Sequence, residues 1–121
     1  EKDLNGAADL FKKQKIKKPL LSICEYSVPI EWAYLKGKDE ALTPVNPGKF
    51  AIRSQDFEKK YFDTGNFTVF SNEHIEKFDY QSHGSDTDYL GYKLTKTSSV
   101  DIDDLEDWAI AESIYKTKNS K

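Results

Sequence analysis

The stretch Val100-Asp101-Ile102-Asp103-Asp104-Leu105-Glu106-Asp107-Trp108 changes its period halfway along. Ser98 to Ile102 reads as a short strand. From Asp103 to Tyr115 the period is helical, with Leu105, Trp108, Ala109, Ile110, Ile114 and Tyr115 as the apolar face and Asp103 and Glu106 in capping-box relation. Helices at both ends of the chain with strands between them indicate an α/β chain. Tyr89 to Leu94 is a second short strand, and Gln81 to Asp88, polar and containing Gly84, is a loop. Ser71-Asn72-Glu73-His74 opens a helical turn, preceded by a strand from Gly65 to Phe70 and another from Lys49 to Ile52. Leu20 to Val28 is an apolar strand stopped by Pro29. Asp3 to Lys13 carries Leu4, Ala7, Ala8 and Phe11 at helical spacing, with Asp3 placed to cap it and Pro19 preventing continuation. Between Glu31 and Lys49 the pattern weakens, and Gly37, Pro44, Pro47 and Gly48 mark an excursion from the main body.

Composition narrows the function classes. A chain of 121 residues supplies one domain, and its 37% apolar content is a thin core supply that 13% aromatic residues partly offset. A net charge of -3 argues against a general nucleic-acid binder, and no apolar run approaches the length of roughly 18 residues that a membrane span needs. Cys24 is the single cysteine and lies in the apolar Leu20-Leu21-Ser22-Ile23-Cys24, so a buried thiol in a cytoplasmic protein is expected. The chain opens on Glu1 and contains no methionine, which reads as a fragment or a processed product.

Two constellations carry possible chemistry. On an extended strand end, Asp101 and Asp103 put their carboxylates on the same side. Such a pair suits Mg²⁺, which binds through one or two carboxylates and takes its other ligands from water and substrate phosphates. Helix capping and dipole compensation account equally well for Asp103, Asp104, Glu106 and Asp107, but not for Asp101; local pattern leaves metal and capping both standing. The second constellation is Arg53-Ser54-Gln55-Asp56 followed by Tyr61-Phe62-Asp63-Thr64-Gly65-Asn66-Phe67. Arg53 is the only arginine among 18 basic residues, and it marks either chance or a place where a planar, bidentate fork is required. If extended, Arg53 and Gln55 share a face and offer a cation and an amide to a carboxylate or phosphate. Gly65 permits a positive φ or the close approach of a ligand. His74 and His83 lack a partner at ligand spacing and read as surface residues. No Gly-rich phosphate loop and no Ser/His/Asp or Cys/His arrangement is present.

Taken in order, Pro29-Ile30-x-x-Ala33, Arg53-Ser54-Gln55-Asp56, Tyr61-x-Asp63-x-Gly65-x-Phe67 and Asp101-Ile102-Asp103-x-x-Glu106-Asp107-Trp108-x-x-Ala111-Glu112 resemble the C-terminal half of the acylneuraminate cytidylyltransferases. The pseudaminic acid branch is the nearest, and the resemblance spans nearly the whole chain. It implies the C-terminal portion, residues 1–121, of a Rossmann-like nucleotide-diphospho-sugar transferase domain, with about 29–60 as a dimerisation insert of a homodimer. It implies Mg²⁺ on Asp101 and Asp103 as the catalytic pair. It places Arg53, Gln55, Tyr61, Asp63, Gly65 and Phe67 at the substrate. The implied substrates are CTP and a nonulosonic acid: the sugar's anomeric hydroxyl attacks the α-phosphate and pyrophosphate leaves. The family's Gly-rich loop and cytosine-recognition residues lie in an N-terminal half that this sequence does not contain, so a non-catalytic dimerisation or binding fragment is the competing expectation.

Overall fold

A computed structural model describes residues 1–15, 18–76 and 89–120. The expected loop from Gln81 to Asp88, with His83, lies outside the described residues. The chain is mixed α/β, with three α-helices, a three-stranded mixed sheet and a separate two-stranded hairpin among the described residues. It divides into two compact units, Glu1–Cys24 with Asp63–Lys121, and Glu25–Phe62.

The first unit is built on helix α1 (Lys2–Lys12), strand β1 (Leu20–Glu25), strand β4 (Tyr61–Val69), the single-turn helix α2 (Asn72–Glu76), strand β5 (Leu90–Lys93) and helix α3 (Leu105–Asn119). Its sheet has the order β4-β1-β5. β1 and β5 are parallel, Leu20 opposite Leu90 and Ser22 opposite Tyr92. β1 alternates buried and half-buried residues, which puts Leu20, Ser22 and Cys24 on one face. Ala7 of α1 is fully buried. At Gly6 a side chain would fall 2.3 Å from the Tyr92 hydroxyl, so the Tyr92 side chain would have to shift to admit one.

Ser22 is a hydroxyl in the middle of an apolar strand and is completely buried, so its hydrogen bonds must be found inside. Its Oγ donates to the Phe67 carbonyl (2.9 Å) and accepts from the Phe67 N–H (3.1 Å). Buried Thr64 places its hydroxyl 2.8 Å from Ser22 Oγ and 3.1 Å from the Ser22 carbonyl. These bonds clamp a bulge in β4. Phe62 and Thr64 point inward before it, and Phe67 and Val69 after it, so the inward parity changes across Gly65 and Asn66. Gly65 has φ 69°, the left-handed geometry of a glycine-initiated bulge.

The second unit carries the antiparallel hairpin of β2 (Tyr34–Lys36) and β3 (Leu42–Pro44), with Leu35 opposite Thr43. Trp32 stacks on Phe50 (6.1 Å between ring centroids) and meets Phe57 edge-on (6.2 Å), while Tyr34 lies 4.7 Å from Phe50. The Trp32 indole N–H donates to the Lys49 carbonyl at 3.2 Å, which satisfies the one polar atom of that ring.

Several expectations are corrected. The segment from Lys49 to Ile52 is a 3-10 turn, Lys49–Ala51, entered through Gly48 at φ 83°, and not a strand. Ser98 to Ile102 is not a strand either. A 3-10 turn occupies Lys96–Ser98, because the Thr95 hydroxyl bonds Ser98 Oγ (3.0 Å) and Ser99 Oγ bonds the Lys96 carbonyl (3.1 Å). Such local hydroxyl bonds compete with a sheet ladder. β1 ends at Glu25 rather than Val28, and β4 starts at Tyr61 rather than Gly65. Asp3 does not cap α1; it lies in the first turn, where its charge complements the helix dipole. The capping box of α3 is Asp104 with Asp107, one residue later than Asp103 with Glu106, and the helix continues to Asn119. Its half-buried residues are Asp107, Ala111 and Ile114, not the face of Leu105, Trp108 and Tyr115, which is exposed.

Ser22→Ala removes the side-chain partner of both the N–H and the carbonyl of Phe67 and should cost about 3 kcal/mol, whereas Thr64→Val, which fills the same volume and removes one donor, should cost about 1 kcal/mol. Urea unfolding of the two variants measures the difference.

Candidate functional site

Asp63, Gly65 and Asp101 meet in the first unit. The Gly65 N–H donates to Asp63 Oδ1 at 2.9 Å, an Asx turn that holds the bulge. A Cβ at Gly65 would stand 3.5 Å from Asp101 Oδ2, and Asn66 Nδ2 donates to the Val100 carbonyl at 3.4 Å. The Tyr-x-Asp-x-Gly-x-Phe run and the Asp-Ile-Asp run, 38 positions apart at Asp63 and Asp101, are therefore neighbours.

The acidic cluster divides between two jobs. Asp104 Oδ1 accepts from the N–H groups of Glu106 (2.8 Å) and Asp107 (2.9 Å), and Asp107 Oδ2 accepts from those of Asp103 (3.2 Å) and Asp104 (3.3 Å). Capping therefore uses the carboxylates of Asp104 and Asp107 and leaves those of Asp101 and Asp103 outside the cap. Asp101 Oδ1 accepts only a local bond in this set, from Ile102 N–H at 3.1 Å. Asp101 and Asp103 are both exposed on irregular backbone, which replaces the expected strand end. Among the described residues no group of three or more His, Cys, Asp or Glu side chains is placed to hold a metal. Without the extended strand end, the same-side placement expected of the two carboxylates does not follow from the backbone.

Phe67 turns inward, its ring 6.2 Å from that of Tyr92, and so carries packing. Tyr61 and Arg53 with Gln55 belong to the second unit. Arg53 is not extended alongside Gln55: Ser54–Asp56 forms a 3-10 turn, and the guanidinium fork closes on Asp56, Nε to Oδ2 at 3.1 Å and Nη2 to Oδ1 at 3.4 Å. The Arg53 side chain is 73% exposed, so this pair is solvent-screened and exchangeable. Gln55 lines a cavity of about 280 Å³ together with Tyr26, Glu31, Ser54 and Lys60.

Sequence reading missed the ion pair in that cavity, because Glu31 and Lys60 lie 29 positions apart with no periodic relation. The hydrogen bond from Lys60 holds the Glu31 carboxyl below its usual range, assisted by its own backbone N–H and the charges of Lys60 and Lys49, against the opposing effect of burial. Ser22 did leave a signal, a lone hydroxyl within Leu20-Leu21-Ser22-Ile23-Cys24.

Compared with known proteins, the chain matches no family model and no curated protein sequence. Among the described residues no helix is long and apolar enough to cross a membrane.

A carboxyl with a depressed folded pKa contributes stability that is complete above its unfolded pKa and disappears as pH falls through the folded value. The second unit should therefore lose stability below the ordinary glutamate range, and Glu31→Gln should flatten that acid limb while lowering stability at neutral pH. Thermal unfolding followed by the Trp32 fluorescence, with Trp108 replaced by Phe, measures both.

Proposed function

We propose that the chain is the sugar-acid-binding and metal-binding half of a nucleotidyltransferase, a Rossmann-like cytidylyltransferase that moves CMP from CTP to a nonulosonic acid, with pseudaminic acid the nearest substrate. The observation that carries this reading is the meeting of Gly65 with Asp101, since it joins two of the runs on which the family resemblance rests. The division of the acidic cluster supports it as well: Asp104 and Asp107 satisfy the helix, which leaves Asp101 and Asp103 available to a ligand.

In this reading Asp101 and Asp103 hold Mg²⁺, which when bound neutralises charge on the triphosphate and orients it. The positive φ of Gly65 keeps the bulge free of a side chain and the surroundings of Asp101 open. Arg53 exchanges Asp56 for the substrate carboxylate, a swap between two bidentate partners of the same chemistry that leaves no charge unpaired within the fork. Gln55 and Ser54 supply polar groups beside it. Cradling the triphosphate is left to the Gly-rich loop of a nucleotide-binding half outside these 121 residues.

The hairpin favours a homodimer in the same reading. Leu35 and Leu42 are 65% and 58% exposed, and Tyr34 is 43% exposed. By the register Tyr34 and Leu42 share one face of the hairpin and Leu35 lies on the other, so the face of Tyr34 and Leu42 is the contact surface in this reading.

The deciding assay supplies the nucleotide-binding half of a pseudaminate cytidylyltransferase in trans. The 121-residue chain alone should release no pyrophosphate from CTP and pseudaminate, and the mixture should release it in a Mg²⁺-dependent manner. In the active mixture Asp101→Asn should lower kcat by about 10²–10³-fold. Arg53→Lys should raise KM for the sugar acid about tenfold and leave KM for CTP unchanged, because lysine keeps the charge and loses the fork. Inactive mixtures at every ratio, or turnover by the chain alone, would overturn the assignment.

A further inference from the structure

Helix α3 presents an apolar stripe that its own unit does not cover. Leu105 is 88%, Trp108 60% and Tyr115 70% exposed. With Glu112 and Asn119 they recur at alternating spacings of three and four, the seam spacing of paired helices. The half-buried positions Asp107, Ala111 and Ile114 form a different face. Two grooves adjoin Trp108. One, of about 330 Å³, is bounded by Ile102, Asp104 and Leu105; the other, of about 360 Å³, is bounded by Ile102, Ala111 and Tyr115. Each has room for a large side chain.

We propose that this stripe is a self-association surface on which α3 of a second copy lies antiparallel. Charge selects the direction. The first turn is acidic, Glu106 and Asp107 beside Asp104, and the last turn is basic, Lys116 and Lys118. Antiparallel pairing sets acidic turns against basic ones, whereas parallel pairing sets like on like. A two-fold axis at the level of residue 110 brings Leu105 opposite Tyr115 of the second copy and Trp108 opposite Glu112, each pair occurring twice by symmetry. The indole N–H then meets a carboxylate, and the aromatic rings fill the grooves that flank Trp108. Trp and Tyr are the side chains that most often anchor interfaces. An anionic lipid surface or a nucleic acid fits poorly, because the acidic cluster borders the first groove. A seam of 15 residues makes a weak dimer, independent of the hairpin surface and of the chemistry assigned above.

The test uses the full chain with Cys24 retained in its buried place. In the double variant Leu105→Cys/Tyr115→Cys the two thiols are ten residues apart on one helix, about 15 Å, and cannot bridge within a chain. Oxidation should give a covalent dimer from the double variant and none from Leu105→Cys alone or from the unmodified chain. No dimer from the double variant, or equal dimer from Leu105→Cys alone, overturns the antiparallel pair. Sedimentation of variants without added cysteines is a second measurement: Trp108→Ser, at an exposed position, should weaken association by at least about tenfold with an unchanged far-UV spectrum. Association untouched by Trp108→Ser and abolished by Leu42→Ser assigns the dimer to the hairpin and overturns the proposal.

Discussion

The hydroxyl of Ser22 governs the first unit. It is completely buried in the central strand and serves as both donor and acceptor to the backbone of Phe67, with Thr64 completing its shell. A backbone group in a sheet ordinarily finds its partner on the next strand. Beside the bulge at Gly65 and Asn66, a side chain serves both polar groups of the Phe67 peptide. The arrangement is worth little as a sum of hydrogen bonds made, and much as the set of unsatisfied groups that any slip would create. It therefore fixes register: with parity changed at the bulge, Thr64 and Phe67 both face inward, and Gly65 is turned toward Asp101.

That geometry links packing to candidate chemistry. The bulge is held from the inside by Ser22 and from the outside by the Asx turn of Asp63, and the Val100-Asp101 segment lies against it. Across the acidic cluster, hydrogen-bond accounting separates residues that composition cannot. Four N–H groups at the start of α3 require acceptors, and Asp104 and Asp107 provide them. Asp101 and Asp103 have no such duty. In the second unit the Arg53 fork is already formed, held by a carboxylate three residues away, so a competing carboxylate meets a preoriented cation.

Apolar surface is distributed unevenly in the chain. Among the described residues the fully buried apolar set is Ala7, Leu20, Cys24 and Leu94, all around α1 and the sheet. Trp32, Phe50, Phe57 and Tyr34 form a second, aromatic cluster within their own unit. Leu35 and Leu42 of the hairpin and the α3 stripe remain outside both clusters. Exposed leucines scattered singly are ordinary; a stripe with seam spacing and a two-stranded sheet with five of its six residues exposed are not.

The sequence by itself determined the elements whose periodicity, stops and composition agree locally. α1 with its small residues and Pro19 beyond it, the core of β1, the second half of β4, the turn at Ser71, β5 and the body of α3 were legible for that reason. Ser71 caps its helix as its residue type implies, accepting from His74 N–H at 3.2 Å. Of the candidate site, the residue types at Asp63, Gly65 and Asp101 were legible as turn and ligand chemistry. Only tertiary structure decided that Gly65 and Asp101 are neighbours, that Ser22 answers for Phe67, and that Glu31 finds Lys60. Each of these joins residues 29 or more positions apart, where no local period carries information. Tertiary structure also decided which face of α3 is half-buried, since that helix is apolar around much of its circumference and Ala111 and Ile114 meet the unit as readily as Leu105 and Trp108 could have. The segment from Ser98 to Ile102 failed for the opposite reason: its composition suits a strand, but the hydroxyls of Thr95, Ser98 and Ser99 close on one another and on nearby backbone before a ladder can form.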